Sequence, residues 1–172
     1  MNSEQRRRKI KTYLKDALVI TVFFIAAAVL VNIYKSWDID TDVVHELQVT
    51  TIDDEKINLR QYRGRPVLVQ FWANWCPVCS LGYGSWNSLA TDYPVITIAM
   101  NSGSIEELKA YRQEHDLSFA IVADPDGEIA DRWQVSGVPT SFFLDRAGRI
   151  EMVEVGYTSE IGMRARLWLA GQ

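Results

Sequence analysis

Cys76 and Cys79 are the only cysteines of the chain, and two residues separate them in the run Trp72-Ala73-Asn74-Trp75-Cys76-Pro77-Val78-Cys79. Three chemistries fit such a pair. A structural disulfide would close a very small loop, so it would restrict the unfolded chain little. A zinc site needs about four ligands, and only His45 and His115 could join the two thiolates. Copper could take two thiolates and one imidazole. A dithiol that cycles with its own disulfide needs only the two sulfurs and a means of activating one. A C-x-x-C pair beside a strand–helix alternation carries the mark of that third chemistry.

The flanking elements supply the activation. Pro66–Trp72 (PVLVQFW) is a nearly unbroken apolar run, as expected of a central strand buried on both faces. It leads into Cys76, and the pattern predicts a helix from Cys76 or Pro77 to about Ala90. Unpaired N–H groups at a helix start favour an anion, so the Cys76 thiol should titrate below the free value of about 8.5. Its thiolate would attack a partner disulfide. Cys79, one turn on, would then attack Cys76 and release the partner. Pro77 suits the first helical position, because its missing N–H breaks no helical bond. Trp75 is placed to cover one side of the sulfurs, and packing alone is an equal use for it. A second stretch, Ser136-Gly137-Val138-Pro139-Thr140, sets a proline directly before an apolar strand. That is the place for a tight turn, cis or trans.

The rest of the chain alternates strand and helix patterns. Strands are expected at Val43–Thr51, Ile57–Leu59, Val95–Met100, Phe119–Ala123, Thr140–Asp145 and Ile150–Gly156, the last two as a hairpin. Helices are expected at Ser104–His115, where Ser104 and Glu107 make a capping box, at Glu128–Trp133 and at Ser159–Ala170. The order implies an α/β domain with a mixed sheet and helices on both faces.

Charge divides the chain. Residues 1–15 hold six basic side chains and one acid, whereas residues 35–172 hold 12 basic and 20 acidic ones. Between them residues 17–34 carry no charge and would span roughly 27 Å as a helix, close to the roughly 30 Å hydrocarbon core of a bilayer. The basic flank predicts a cytoplasmic N-terminus and an exported body. A cleaved signal peptide is the competing reading, with Ala26-Ala27-Ala28 as its cleavage site, although the apolar run continues through Val29 to Ile33. The expected organisation is a basic segment (1–16), a transmembrane anchor (17–34), a tether (35–42) and an α/β domain (43–172). A net charge of -4 over 172 residues gives nucleic-acid binding no electrostatic support. His115, in the last turn of its predicted helix, has a surface role as its default, and His45 is expected in solvent. Trp86, Trp133 and Trp168 are expected in or at the edge of the core.

Phe71-Trp72-Ala73-Asn74-Trp75-Cys76-Pro77-Val78-Cys79 resembles the thioredoxin-superfamily active site, and Gly137-Val138-Pro139-Thr140 resembles its cis-proline loop. The lead-in Leu59-Arg60 with Gly64-Arg65-Pro66-Val67-Leu68-Val69 is similar to that of membrane-anchored TlpA/ResA-like proteins. The CPVC centre behind an N-terminal anchor looks most like the ScsD-like protein disulfide oxidoreductases. The resemblance covers roughly residues 43–172. It implies a thioredoxin-like fold, a redox-active Cys76–Cys79 disulfide in place of any cofactor, protein thiol or disulfide clients, and a DsbD-like membrane reductant donor. It also implies that Val138 presents backbone groups to a bound partner strand beside Pro139. Two positions depart from the pattern. Thioredoxins carry a buried Asp where this chain has Gln70, and TlpA/ResA-like proteins often carry a Glu where it has Gly82. The proton acceptor for Cys79 is therefore unassigned.

The expected function is thiol–disulfide exchange in the periplasm, from the cytoplasmic membrane, with reduction of clients as the favoured direction. Pro77 and Val78 place no cation between the cysteines, and a weakly stabilised thiolate makes a less oxidising disulfide. An oxidase or isomerase using the same site, and a copper- or zinc-binding chaperone using the same thiolates, are the alternatives.

Overall fold

The computed structural model describes residues 13, 15, 16, 18–23 and 47–172. The chain divides into two compact units, residues 1–37 and 38–172. In the first, the described residues between Tyr13 and Phe23 are helical and exposed. Among the described residues no helix is long and apolar enough to cross a membrane. Most of the expected 17–34 span, the 35–42 tether and His45 lie outside the described residues.

The second unit is built on five strands: β3 (Val67–Trp72), β4 (Val95–Met100), β5 (Ala120–Asp124), β6 (Thr140–Leu144) and β7 (Ile150–Val155). They form a mixed sheet in the order β5-β4-β3-β6-β7. β3 lies at its centre, parallel to β4 and antiparallel to β6, and all its residues are buried. A short ribbon precedes the sheet, made by β1 (Gln48–Thr50) and β2 (Lys56–Asn58). Five helices follow from the sequence: α1 (Pro77–Ser80), α2 (Tyr83–Leu89), α3 (Ile105–Glu114), α4 (Glu128–Arg132) and α5 (Glu160–Ala170).

Period-two alternation along β3 sorts the core into two layers. Leu68 and Trp72 face one side, where they meet Tyr83, Trp86 and Leu89 of α2, Leu108 of α3, and Met163 and Leu167 of α5. Val67, Val69 and Phe71 face the other, with Ile129 and Ala130 of α4, Trp133, and Leu47, Ile57 and Leu59 of the ribbon region. The neighbouring Phe142 and Phe143 of β6 divide between the same two layers. This is the expected α/β arrangement, with helices on both faces.

Local signals hold where they are strongest. Ser104 and Glu107 form a complete capping box, Oγ accepting from the Glu107 N–H and Glu107 accepting from the Ser104 N–H. Several boundaries differ from expectation, most by a residue. Leu59 opens a 3-10 turn (Leu59–Tyr62) instead of closing a strand, because the Asn58 side chain accepts the Arg60 N–H and caps a helical turn. The expected Phe119–Ala123 strand is shifted by one residue, and Phe119 packs into the core from the loop before it. The short helix ends at Arg132, with Trp133 as its cap. The single helix expected from Cys76 or Pro77 to Ala90 is two helices, α1 and α2, separated at Leu81 and Gly82.

Candidate active site

Strand β3 ends at Trp72, and the chain runs through Ala73, Asn74 and Trp75 to Cys76, the N-cap of α1. Cys76 has extended backbone angles, φ -96 and ψ 106, so its side chain turns back over the first helical turn. Its Sγ accepts the Cys79 N–H at 3.2 Å. The sulfur shares that N–H with the Cys76 carbonyl, which accepts it at 3.1 Å. The two sulfurs are joined in a disulfide, with Cα atoms 5.4 Å apart. Cys76 is 6% exposed and Cys79 0%, so a partner can approach only the first sulfur.

The register of β3 against β6 pairs Phe71 with Thr140. Val138 and Pro139, which lead into β6, are thereby carried to the end of β3 where Cys76 lies. The Val138–Pro139 peptide bond is cis. The Val138 carbonyl oxygen lies 3.7 Å from Cys76 Sγ. Thr140 Oγ1 donates to the Gly137 carbonyl at 2.7 Å and closes the turn behind it.

Trp75 is 59% exposed, and its indole Nε1–H donates to the Asn101 carbonyl at 3.0 Å. Asn101 has φ 47, in the left-handed region, and its own side chain donates to the Pro125 carbonyl at 3.1 Å. Asn74 is held twice by Ser102: its N–H donates to Ser102 Oγ and its side-chain amide to the Ser102 carbonyl, both at 3.1 Å. The Tyr111 hydroxyl lies 3.4 Å from the Asn74 carbonyl and 3.0 Å from the Tyr83 hydroxyl. Burial, and after it the Tyr111 hydroxyl, holds the Tyr83 phenol protonated well above its ordinary range. The loop after β4 thus fixes the approach to Cys76. Sequence reading passed over Asn101 and Ser102. The signal was their place, a run of turn-forming residues at the carboxyl end of a parallel strand, where α/β sheets gather their sites.

The two departures from the resembled pattern have structural answers. Gln70 is fully buried and its amide is fully used: Nε2 donates to the Phe71 carbonyl at 3.0 Å and the Thr140 carbonyl at 3.1 Å, and Oε1 accepts from Ser141 Oγ at 2.6 Å. It holds β3 and β6 together and has no basic lone pair to offer a thiol. Gly82 faces the Trp86 indole. A Cβ at residue 82 would stand 2.8 Å from Trp86 Cε2 and Cζ2 and 3.2 Å from Nε1. The ring occupies the room that any side chain at 82 would need, and this close approach coincides with the break between α1 and α2.

His115 caps α3 instead of ending its last turn, with its ring stacked on Tyr111 at 3.9 Å. Among the described residues no three His, Cys, Asp or Glu side chains come together as a metal would require. Trp133 and Trp86 lie in the core, whereas Trp168 is exposed on α5.

The AhpC/TSA family profile matches residues 41–153. A thioredoxin-like protein of Haemophilus influenzae is 32% identical over 167 residues, covering 94% of this chain and 97% of the relative. The thiol–disulfide oxidoreductase ResA of Oceanobacillus iheyensis is 24% identical over 166 residues, covering 90% of this chain and 86% of the relative. Among solved structures, a thioredoxin-family thiol:disulfide interchange protein from Chlorobium tepidum superposes with a TM-score of 0.68 at 19% identity, covering 77% of this chain and 98% of that one. The last likeness speaks for the fold.

Proposed function

We propose, for a chain that belongs to the AhpC/TSA family and is a thioredoxin-like thiol–disulfide oxidoreductase, that it reduces disulfides of client proteins in the periplasm from an anchor in the cytoplasmic membrane. Cys76 is the attacking sulfur and Cys79 the resolving one. The observation that carries this assignment is the contrast in access: Cys76 reaches the surface beside Trp75, Val138 and Pro139, while Cys79 is closed off.

In the reduced protein the Cys76 thiolate attacks one sulfur of a client disulfide. The client's other sulfur leaves as a thiolate and takes a proton from water. Cys79, deprotonated, attacks Cys76 Sγ, releases the second client thiol and restores the Cys76–Cys79 bond. Two electrons pass from the protein dithiol to the client, and a DsbD-like membrane dithiol returns them. Trp75 and Val138 flank the incoming strand, and Pro139 keeps the Val138 carbonyl turned to the sulfur.

The direction rests on electrostatics. In the disulfide form, Cys76 Sγ receives one N–H at 3.2 Å and faces the negative end of a carbonyl at 3.7 Å. No cation stands between the cysteines. A thiolate so modestly stabilised makes the dithiol a willing electron donor. The anchor rests on the uncharged 17–34 run behind its basic flank.

Cys79→Ser in the full chain, in membranes, should accumulate mixed disulfides through Cys76, and their identification names donor and client together. Absence of mixed disulfides with Cys79→Ser, together with undiminished exchange in Cys76→Ser, overturns the assignment of roles. A reduction potential near the roughly -270 mV of thioredoxin supports the direction, and one near the roughly -120 mV of DsbA reverses it.

A further inference from the structure

Helix α5 is apolar on two sides. Met163, Leu167 and Ala170 are buried and pack inward. On the outer side Trp168 is 61% exposed and Leu169 54% exposed. The outer face of a helix on a folded domain is ordinarily polar, so two adjacent large apolar side chains left in water call for a surface that covers them.

Their place in the fold says which surface. The end of α5 reaches the start of β3, since a Cβ at Gly171 would stand 3.4 Å from Pro66 Cγ. The β6–β7 turn comes to the same place, where the Gly64 N–H donates to the Arg146 carbonyl at 2.8 Å. Leu169 and Ala170 share one surface depression with Arg146 and Arg149, and Arg63 and Arg65 flank the Gly64 contact. All four arginines are exposed. They gather beside Trp168 and Leu169 at the end of the sheet opposite Cys76, which follows the far end of β3, about 20 Å along the strand.

The charge here is poorly answered. Arg149 pairs with Asp145 at 2.7 Å, and Arg65 donates to the Asp92 carbonyl at 3.4 Å. The Asp92 carboxylate is itself held by Arg164. Arg63 and Arg146 have no ion pair among the described residues. Glu151, at the rim of the depression, is the opposing carboxylate. This end is therefore cationic, on a body in which residues 35–172 hold 12 basic and 20 acidic side chains. A second copy of the chain would bring like charges together. An anionic phospholipid surface answers both features at once. Its phosphates pair with guanidinium groups, and an indole beside a leucine settles at the level of the headgroups. The acidic remainder of the domain is repelled by the same surface, so the approach is confined to this end.

We infer that Trp168 and Leu169, with Arg63, Arg65, Arg146 and Arg149, dock the domain on the anionic phospholipid surface of a bilayer. This rests on the reading of the chain as membrane-anchored, because the anchor supplies the bilayer, but it uses residues of the second unit alone. Docked by this end, the domain turns Cys76 away from the lipid, toward clients in solution.

The test uses the full chain in its disulfide form, reconstituted into vesicles of phosphatidylglycerol or of phosphatidylcholine. Each lipid is used with and without bromine, a fluorescence quencher, on the acyl chains just below the headgroups. Subtracting the emission of Trp168→Phe from that of the parent leaves the Trp168 contribution, and the other tryptophans cancel. In phosphatidylglycerol, bromination should lower that contribution about twofold or more, as for an indole at headgroup depth. The loss should vanish in about 1 M salt, where charges are screened beyond about 3 Å, and in the double variant Arg63→Glu, Arg146→Glu. In phosphatidylcholine, bromination should leave the contribution unchanged. An unquenched Trp168 in phosphatidylglycerol, equal quenching in the two lipids, or quenching that survives either salt or charge reversal overturns the inference. If the charge-reversed chain fails to fold, salt on the unsubstituted chain decides. A Trp168 emission already shifted to the blue in detergent, and indifferent to both lipids, assigns the patch to a second copy or another protein and overturns the inference as well. Extraction with alkaline carbonate tests the anchor separately: release of the chain refutes the anchor, while the Trp168 difference still judges the docking.

Discussion

Replacing Gly82 with Ala sets a methyl group where the Trp86 ring already lies. The new Cβ would be 2.8 Å from Cε2 and Cζ2, against a comfortable carbon–carbon separation of about 3.5–4.0 Å. The indole would have to retreat by roughly 0.7 Å or more to reach that range. Its neighbours resist, with ring centroids of Tyr83 at 5.5 Å, Phe119 at 5.8 Å and Trp72 at 6.5 Å. Overpacking of this kind costs about 1–3 kcal/mol. The backbone at Gly82, φ -91 and ψ -15, suits alanine, and a stiffer unfolded chain returns about 0.4–1 kcal/mol. The net expectation is a loss of about 1–2 kcal/mol, or a fall in Tm of roughly 3–8 °C. Thermal unfolding of the disulfide form of the full chain, followed by circular dichroism, measures it. Trp86→Phe withdraws the ring atoms that meet the methyl group, so Gly82→Ala should cost less in that background than in the parent. If Gly82→Ala is as stable as the parent, or costs the same in both backgrounds, the packing argument for the glycine is wrong.

Two further substitutions test the scaffold. Thr97→Val removes the oxygen, 3.0 Å away, that accepts the buried Trp72 indole N–H; the orphaned donor should cost about 1–3 kcal/mol in chemical denaturation, and a cost within error of zero refutes the bond. Asp145 sits in the β6–β7 turn, where burial alone would raise its carboxyl, but hydrogen bonds from Arg149 and the Ala147 N–H and the Arg149 charge outweigh that and hold it below the ordinary range. A carboxyl lowered in the folded state stabilises above its unfolded value of about 3.9 and loses that contribution as pH falls through the folded value. Asp145→Asn should therefore be less stable than the parent at neutral pH, with the gap closing below about pH 4; a gap independent of pH refutes the linkage.

Elements whose cause is local were readable from the residues alone. The unbroken apolar run ending at Trp72 could only be a strand covered on both faces, and it is the centre of the sheet. Ser104 and Glu107 define their helix start with two reciprocal hydrogen bonds that any similar spacing would announce. What escaped was set by contacts between distant segments. The absence of a side chain at Gly82, where the helix breaks, answers to a ring four residues on and the aromatic cluster around it. The grip of Asn101 on Trp75 depends on a left-handed residue that nothing in a hydrophobic pattern encodes. Of the site, the dithiol and the proline loop were visible as motifs. The Trp86 Nε1–H, buried with no hydrogen-bond partner among the described residues, was not, since a tryptophan at such a position reads as core filler.

Cys76 and Val138 are 62 residues apart along the chain and meet only because β6 docks antiparallel on β3. Long-range strand pairing of this kind comes at an entropic cost that local helices do not bear. The thiols are thus present in the nascent polypeptide well before their companion loop arrives. During that interval they have ordinary cysteine reactivity with no means of selecting a partner, and selectivity is acquired in the same event that completes the sheet.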